Sequence, residues 1–210
     1  MSWLREQSIE SFKMLNPDWE VDVVGAGADY PPGEGFRIDV LRSDYVRYTS
    51  LVAGGGVYFD TDIIFVRPIP EKWLDADLFA PLDNSGNISH IACLGGIPFH
   101  PFWQMMVDRC KLRVNTGIPL DCQALGTRLL HGIYLHKDMK SIPTEALLTH
   151  HWNQLEMIWA DVDQKMPSWT IGVHWYGGDP LSRDMEKLFS ADSMPACFLS
   201  DAIEFSLEQA

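Results

Sequence analysis

The sequence predicts an α/β fold, a sheet flanked by helices, on three observations. Apolar residues recur at helical spacing over residues 2–16, 43–52 and 102–112. Short runs rich in β-branched and aromatic residues stand apart from them, at Trp19–Val24, Val57–Phe59 and Ile171–Trp175. Proline and glycine punctuate the junctions, at Pro17, Gly54-Gly55-Gly56 and Gly177-Gly178-Asp179-Pro180. Strands alternating with helices in this way predict a mainly parallel sheet.

The elements follow in order. Ser2 is placed to cap a first helix, Leu4, Ser8, Phe12 and Leu15 share one face, and Pro17 stops it. Trp19–Val24 reads as a short strand and Gly25–Gly35, with Pro31-Pro32, as a loop. Val21–Val24 followed by Gly25-Ala26-Gly27-Ala28 imitates the opening of a dinucleotide fingerprint. Tyr30 occupies the third glycine position, however, and Pro31-Pro32 bars the helix whose N-terminus would hold a pyrophosphate. Ser43 or Asp44 is placed to cap a second helix that runs to about Val52, with Leu41, Tyr45, Tyr48 and Val52 at core spacing. Gly54–Gly56 ends it. Val57–Phe59 is a strand, and Ile63–Val66 stays extended until Pro68 and Pro70. Helices are expected at Phe102–Leu112, entered through His100-Pro101, and at Cys122–His131. Ile171–Trp175 is a further strand, closed by the turn at Gly177–Pro180.

A chain of 210 residues is expected to form a single domain, 1–210, with a real core. Its 46% hydrophobic and 21% charged residues are ordinary for a globular protein, so disorder is not expected. The net charge of −13 argues against nucleic acid as a partner. It also means that an anionic ligand needs help from a cation or from arginines. No stretch approaches the roughly 18 apolar residues of a membrane span. Met1–Glu6 does not read as a signal peptide. Cys93, Cys110, Cys122 and Cys197 are scattered with no CxxC, which predicts reduced thiols in a cytoplasmic protein and disfavours a zinc site.

The run Gly54–Ile63 carries the chemistry. Asp60 and Asp62 stand between Val57-Tyr58-Phe59 and Ile63-Ile64-Phe65-Val66. Burying an unpaired carboxylate costs several kcal/mol, so such groups are normally paired or metal-bound. Strand alternation would put both acids on one face, with Thr61 pointing away, at the carboxyl end of a parallel strand where open α/β sheets bind ligands. Two hard oxygen ligands suit Mg²⁺ or Mn²⁺. On the preceding helix, Asp44 and Arg47 are three residues apart and share a face. They are either a surface ion pair or a sugar-binding pair facing the same cleft, and spacing alone does not choose.

Ser43-Asp44-Tyr45-Val46-Arg47-Tyr48 followed by Gly55-Gly56-Val57-Tyr58-Phe59-Asp60-Thr61-Asp62 resembles the signature "SDxxRY … GGxYxDxD" of DXD-containing glycosyltransferases of family 32. That family includes fungal mannosyltransferases, capsular polysaccharide synthases and, more distantly, glucosylating bacterial toxins. Weaker resemblances extend to Trp3-Leu4-Arg5 through Asn16-Pro17-Asp18-Trp19, to Pro98–Phe102, and to Val173–Gly178, which is similar to a C-terminal "HxW/HHWxGSW" element.

The resemblance implies a GT-A fold and a UDP- or GDP-hexose donor bound through Mn²⁺ or Mg²⁺. It implies that Asp62 ligates the metal and that Asp60 contacts the donor's ribose or sugar and the metal shell. Asp44 and Arg47 would hold the donor sugar, and His174 would contact the metal or the diphosphate. The implied reaction is retaining transfer of a hexose to a glycan or lipid-linked acceptor. Two departures stand out. Gly177-Gly178-Asp179 replaces the family's "GSW", and the chain reads as starting at the helix that follows the family's usual first strand. A missing first strand would weaken recognition of the nucleotide base.

Two other readings compete. A phosphohydrolase using Asp60 and Asp62 wants Thr or Val where Ile64 stands. A non-catalytic nucleotide-sugar or carbohydrate-binding remnant is the alternative to an enzyme. Among other residues, His90 stands near a position where relatives carry an asparagine close to the donor. His100 reads as a helix-entry residue, and His150-His151 as a polar-aromatic stretch. Trp175 or Tyr176 offers a stacking face for an acceptor sugar, against the default of core burial.

Overall fold

The structure is a computed structural model that describes residues 1–24, 39–83, 85–130, 138–161 and 164–209. In chain order it forms helices α1 (Trp3–Leu15) and α2 (Asp39–Gly54) and strands β1 (Gly56–Phe59), β2 (Ile63–Phe65), β3 (Leu78–Pro81) and β4 (Cys93–Gly96). Then come helices α3 (Pro101–Asn115) and α4 (Thr127–Leu130), strand β5 (Lys140–Ile142), helix α5 (Leu155–Trp159) and strand β6 (Gly172–His174). Helices α6 (Pro180–Glu186) and α7 (Phe198–Gln209) complete the order. The chain divides into two units. The first comprises Met1–Val21, Asp60–Pro70 and Pro143–Ala210, and the second Asp22–Phe59 and Glu71–Ile142.

In the first unit, α1 starts where its cap predicts, with the Ser2 hydroxyl accepting from the Arg5 N–H at 3.4 Å. Asn16 closes it. Its side-chain amide donates to the Phe12 carbonyl at 2.9 Å, while its Oδ1 accepts from the Ile69 N–H at 2.9 Å. Leu4, Ser8, Ser11, Phe12 and Leu15 form the buried face. Phe12 meets Phe65 edge-on at 5.0 Å, so the helix lies on β2. Strand β2 pairs antiparallel with β6, in the register Ile63↔His174, Ile64↔Val173 and Phe65↔Gly172. All three β2 residues are buried, which accounts for the apolar run after Asp62. Around them Leu4, Val66, Ile158, Trp175, Phe198, Ala202 and Ile203 build the core, with α7 contributing its apolar face.

The expected strand at Trp19–Val24 does not form. Trp19 packs edge-on against Phe12 at 5.5 Å, Val23 and Val24 are exposed, and among the described residues no strand runs alongside to complete a ladder. Gly25–Gly35 lies outside the described residues.

In the second unit, α2 begins at Asp39, earlier than expected. Ser43 is therefore not a cap, and its hydroxyl turns back to the Val40 carbonyl at 2.8 Å. Asp44 lies inside the helix. Leu41, Tyr45, Tyr48 and Leu51 pack with Phe102, Trp103, Met106, Val107 and Cys110 of α3 in one core. The helix ends at Gly55, whose N–H bonds the Leu51 carbonyl at 3.1 Å with φ at +64°. A β-carbon there would come within 2.5 Å of Pro98.

The four-stranded sheet has the order β1-β4-β3-β5 and is mixed. This corrects the mainly parallel sheet: β1 and β3 run antiparallel to β4, and only β3 and β5 are parallel. The connections explain the difference. A parallel crossover takes a dozen or more residues and usually a helix. Among the described residues, the segment from Pro81 to Cys93 contains no helix, whereas α3 and α4 lie between β3 and β5. The α/β class and the flanking helices are as predicted. Helix α3 is entered through His100, whose Nδ1 accepts from the Phe102 N–H at 3.2 Å, with Pro101 at the first position. Helix α4 is shorter than the expected Cys122–His131, because Asp121 folds the preceding residues into a turn by accepting from the Gln123 N–H at 3.0 Å. His131 lies outside the described residues.

Candidate metal centre

Strand β1 stops at Phe59 and β2 starts at Ile63, so Asp60-Thr61-Asp62 is a turn between strands of different sheets. The acids were expected along one pleated face at the end of a parallel strand. They are instead brought together by the turn, and β1 is antiparallel to its neighbour. Strand β6 supplies a third group. Its register sets His174 opposite Ile63, beside Asp62. One ligand atom each from Asp60, Asp62 and His174 lies within 4.8 Å of the others.

Asp62 is the most constrained of the three. Its Oδ1 lies 3.0 Å from His174 Nε2, and its Oδ2 accepts from the Gly177 N–H at 2.7 Å. Its carbonyl accepts from the Trp175 N–H at 2.9 Å. The two side chains are only 13% and 11% exposed. Burial alone would raise the Asp62 carboxyl, but the charge and hydrogen bond of His174, the charge of Arg5 and the Gly177 N–H outweigh it and hold the carboxyl at about 2. Asp62 is thus an anion at neutral pH, ready to ligate. The Tyr176 ring lies 4.3 Å from that of His174, and its hydroxyl donates to the His150 carbonyl at 2.8 Å. Burial, then the charge of Asp62, raises the Tyr176 phenol, so it stays protonated.

Two carboxylate oxygens and one imidazole nitrogen, partly buried and converging, fit a divalent cation. A cation taking both Asp62 Oδ1 and His174 Nε2 would replace their hydrogen bond.

In the second unit, Asp44 Oδ1 and Arg47 Nη2 are 3.1 Å apart with side-chain exposures of 2% and 4%. The pair is buried, not a surface ion pair. Arg47 Nη1 also donates to the Ile91 carbonyl, and its guanidinium lies over the Tyr58 ring at 4.9 Å. Asp44 approaches Gly126 so closely that a β-carbon there would stand 2.8 Å from Oδ2.

The remaining histidines and aromatics have local tasks. His90 Nδ1 accepts from the Ala92 N–H at 3.3 Å, and His150 is buried edge-on against Phe198 at 5.0 Å. His151 caps the 3-10 turn at Trp152–Gln154. Trp175 is fully buried and donates from Nε1 to Ser8 Oγ at 3.2 Å, so it is a core residue and not a stacking face. One participant escaped the sequence reading. Arg5 of α1 donates to Thr61 Oγ1 at 3.0 Å, in the middle of the acidic turn. Trp3-Leu4-Arg5 carries only a weak resemblance, which assigns Arg5 no role.

Residues 4–80 match the family model described as "Glycosyltransferase sugar-binding region containing DXD motif", so the resemblance found in the sequence is borne out over that stretch. The chain is also similar to a human protein named "Alpha-1,4-N-acetylglucosaminyltransferase", at 36% identity over 67 residues. That match covers 31% of this chain and 18% of the relative. No solved structure matches the chain. Among the described residues, no helix is long and apolar enough to cross a membrane.

Proposed function

We propose that this chain, whose residues 4–80 match the DXD sugar-binding family model, is a metal-dependent glycosyltransferase. It moves a hexose, with retention, from a UDP- or GDP-sugar to a glycan or lipid-linked acceptor. The convergence of Asp60, Asp62 and His174 carries the proposal. Retention, donor class and acceptor class rest on the family resemblance, and the human relative's printed name supports sugar transfer. The matched stretch runs through segments of both units, which supports one glycosyltransferase domain over residues 1–210. The scattered cysteines support a cytoplasmic location.

Asp60, Asp62 and His174 hold the cation, Mn²⁺ or Mg²⁺. When bound, the cation neutralises the diphosphate and improves it as a leaving group. Asp62 stays ionised through its contacts with His174, Arg5 and Gly177, so the site needs no proton loss from this carboxyl at neutral pH. A role for Asp44 and Arg47 in holding the donor sugar rests on the family resemblance alone, since the two side chains form a buried ion pair.

Asp62→Asn tests the proposal. Isothermal titration should show Mn²⁺-dependent binding of UDP- or GDP-sugars by the parent protein and its loss in the variant, with circular dichroism unchanged. Equal binding by the two would overturn it. A donor-hydrolysis assay on the same samples separates an enzyme from a sugar-binding remnant.

A further inference from the structure

Arg5 sits where four segments of the first unit meet, and each nitrogen of its guanidinium is directed at a different partner. Nη1 donates to Thr61 Oγ1 at 3.0 Å, Nη2 to the Gly177 carbonyl at 3.4 Å, and Nε lies 3.3 Å from Glu186 Oε1. The plane itself covers the Trp175 ring, with Cζ 5.1 Å from its centroid. Thr61 stands between the two acids. Gly177 supplies the N–H that Asp62 Oδ2 accepts, and Trp175 supplies the N–H that the Asp62 carbonyl accepts. Arg5 therefore touches the turn that carries Asp60 and Asp62 and the strand exit that carries His174.

The surroundings are shaped for this side chain. A β-carbon at Gly177 would come within 2.5 Å of Arg5 Nη2 and 2.7 Å of the Trp175 ring, so glycine is what lets the guanidinium reach the carbonyl. Ser8, one turn along α1, accepts from Trp175 Nε1 at 3.2 Å and so holds the edge of the ring whose face Arg5 covers. Glu186, at the end of α6, accepts from Ser2 and forms an ion pair with Arg5, fixing the fork from behind.

We infer that Arg5 is a positioning residue that locks the Asp60-Thr61-Asp62 turn against the Trp175–Gly177 segment and so sets Asp62 and His174 at ligating distance. Through Thr61 Oγ1, the Gly177 carbonyl and Glu186 it acts on the ligands by way of the backbone that carries them. A lysine keeps the charge but offers no planar fork, so it cannot reach Thr61, Gly177 and Glu186 together. Outer-shell groups that orient metal ligands typically change affinity by about 10–100-fold.

The inference rests on the metal reading of Asp60, Asp62 and His174. The test uses the whole chain with Arg5→Lys, the near-isosteric Thr61→Val, and the double variant. Mn²⁺ affinity is read by electron paramagnetic resonance of the free ion, and Gly177 amide exchange is read in metal-free protein. Each single variant should bind Mn²⁺ about tenfold more weakly and exchange the Gly177 proton about tenfold faster, with far-UV circular dichroism unchanged. The double variant should fall no further than the weaker single, because both cut the same link. Wild-type Mn²⁺ affinity in Arg5→Lys overturns the inference even if exchange quickens, since that leaves Arg5 merely structural. A parent protein that takes up no Mn²⁺ removes the metal reading and this inference with it.

Discussion

Asp62 shows how one side chain ties fold and chemistry together. Its carboxyl lies near 2 where the ordinary value is 3.8, because His174, Arg5 and the Gly177 N–H favour the anion more than burial opposes it. A carboxyl lowered on folding stabilises the native state above its unfolded value and loses that contribution as pH falls through the folded one. The effect is about 2 kcal/mol, fully present above about pH 4 and gone below about pH 2. Urea unfolding of metal-free protein should therefore show a loss of this size between pH 5 and pH 2 that is absent in Asp62→Asn. Parallel pH profiles for the two would show that Asp62 carries no such linkage. The two aspartates were legible in sequence because carboxylates in an apolar run demand a reason. His174 was legible only through its motif, since it lies 112 positions from Asp62 and meets it by strand pairing.

Helix α2 shows the same limit at the scale of an element. The spacing of Asp44 and Arg47 was plain, but their burial was not, because a helix's own period does not reveal what closes over it. Removing one partner of a buried ion pair typically costs about 3–5 kcal/mol, since the other charge is left uncompensated. Arg47→Ala should lose that much in urea unfolding. Asp44→Leu combined with Arg47→Met should recover most of it while still failing to bind donor. Recovery of donor binding in the double variant would mean that the pair is only structural. The helix starts at Asp39 and not at Ser43 for a related reason. Ser43 has the chemistry of a cap, but its hydroxyl is satisfied by Val40 within the helix. Strands β3 and β4 escaped notice because four residues containing Pro81 or Gly95-Gly96 give no alternation to read.

At the scale of the whole molecule, a net charge of −13 makes a cation the natural mediator for an anionic donor. A ligand that binds only the native state raises its stability by mass action. Thermal melts should therefore rise with Mn²⁺, rise further with Mn²⁺ and the cognate UDP- or GDP-sugar, and return to baseline with chelator. His174→Ala should abolish the Mn²⁺ shift. A shift from nucleotide sugar that is unchanged by chelator would argue for a metal-free binding protein.

The sequence by itself determined the α/β class, the ends of α1, the entry of α3 and the glycine stop of α2. These depend on caps, turn residues and periodicities that act over a few neighbours. Tertiary structure decided the mixed sheet, the burial of Asp44 with Arg47, the seclusion of Trp175 and the bridge of Arg5 from Thr61 to Gly177. Each of these joins residues far apart in the chain, and only packing the elements together settles which side chains meet and which lose contact with water.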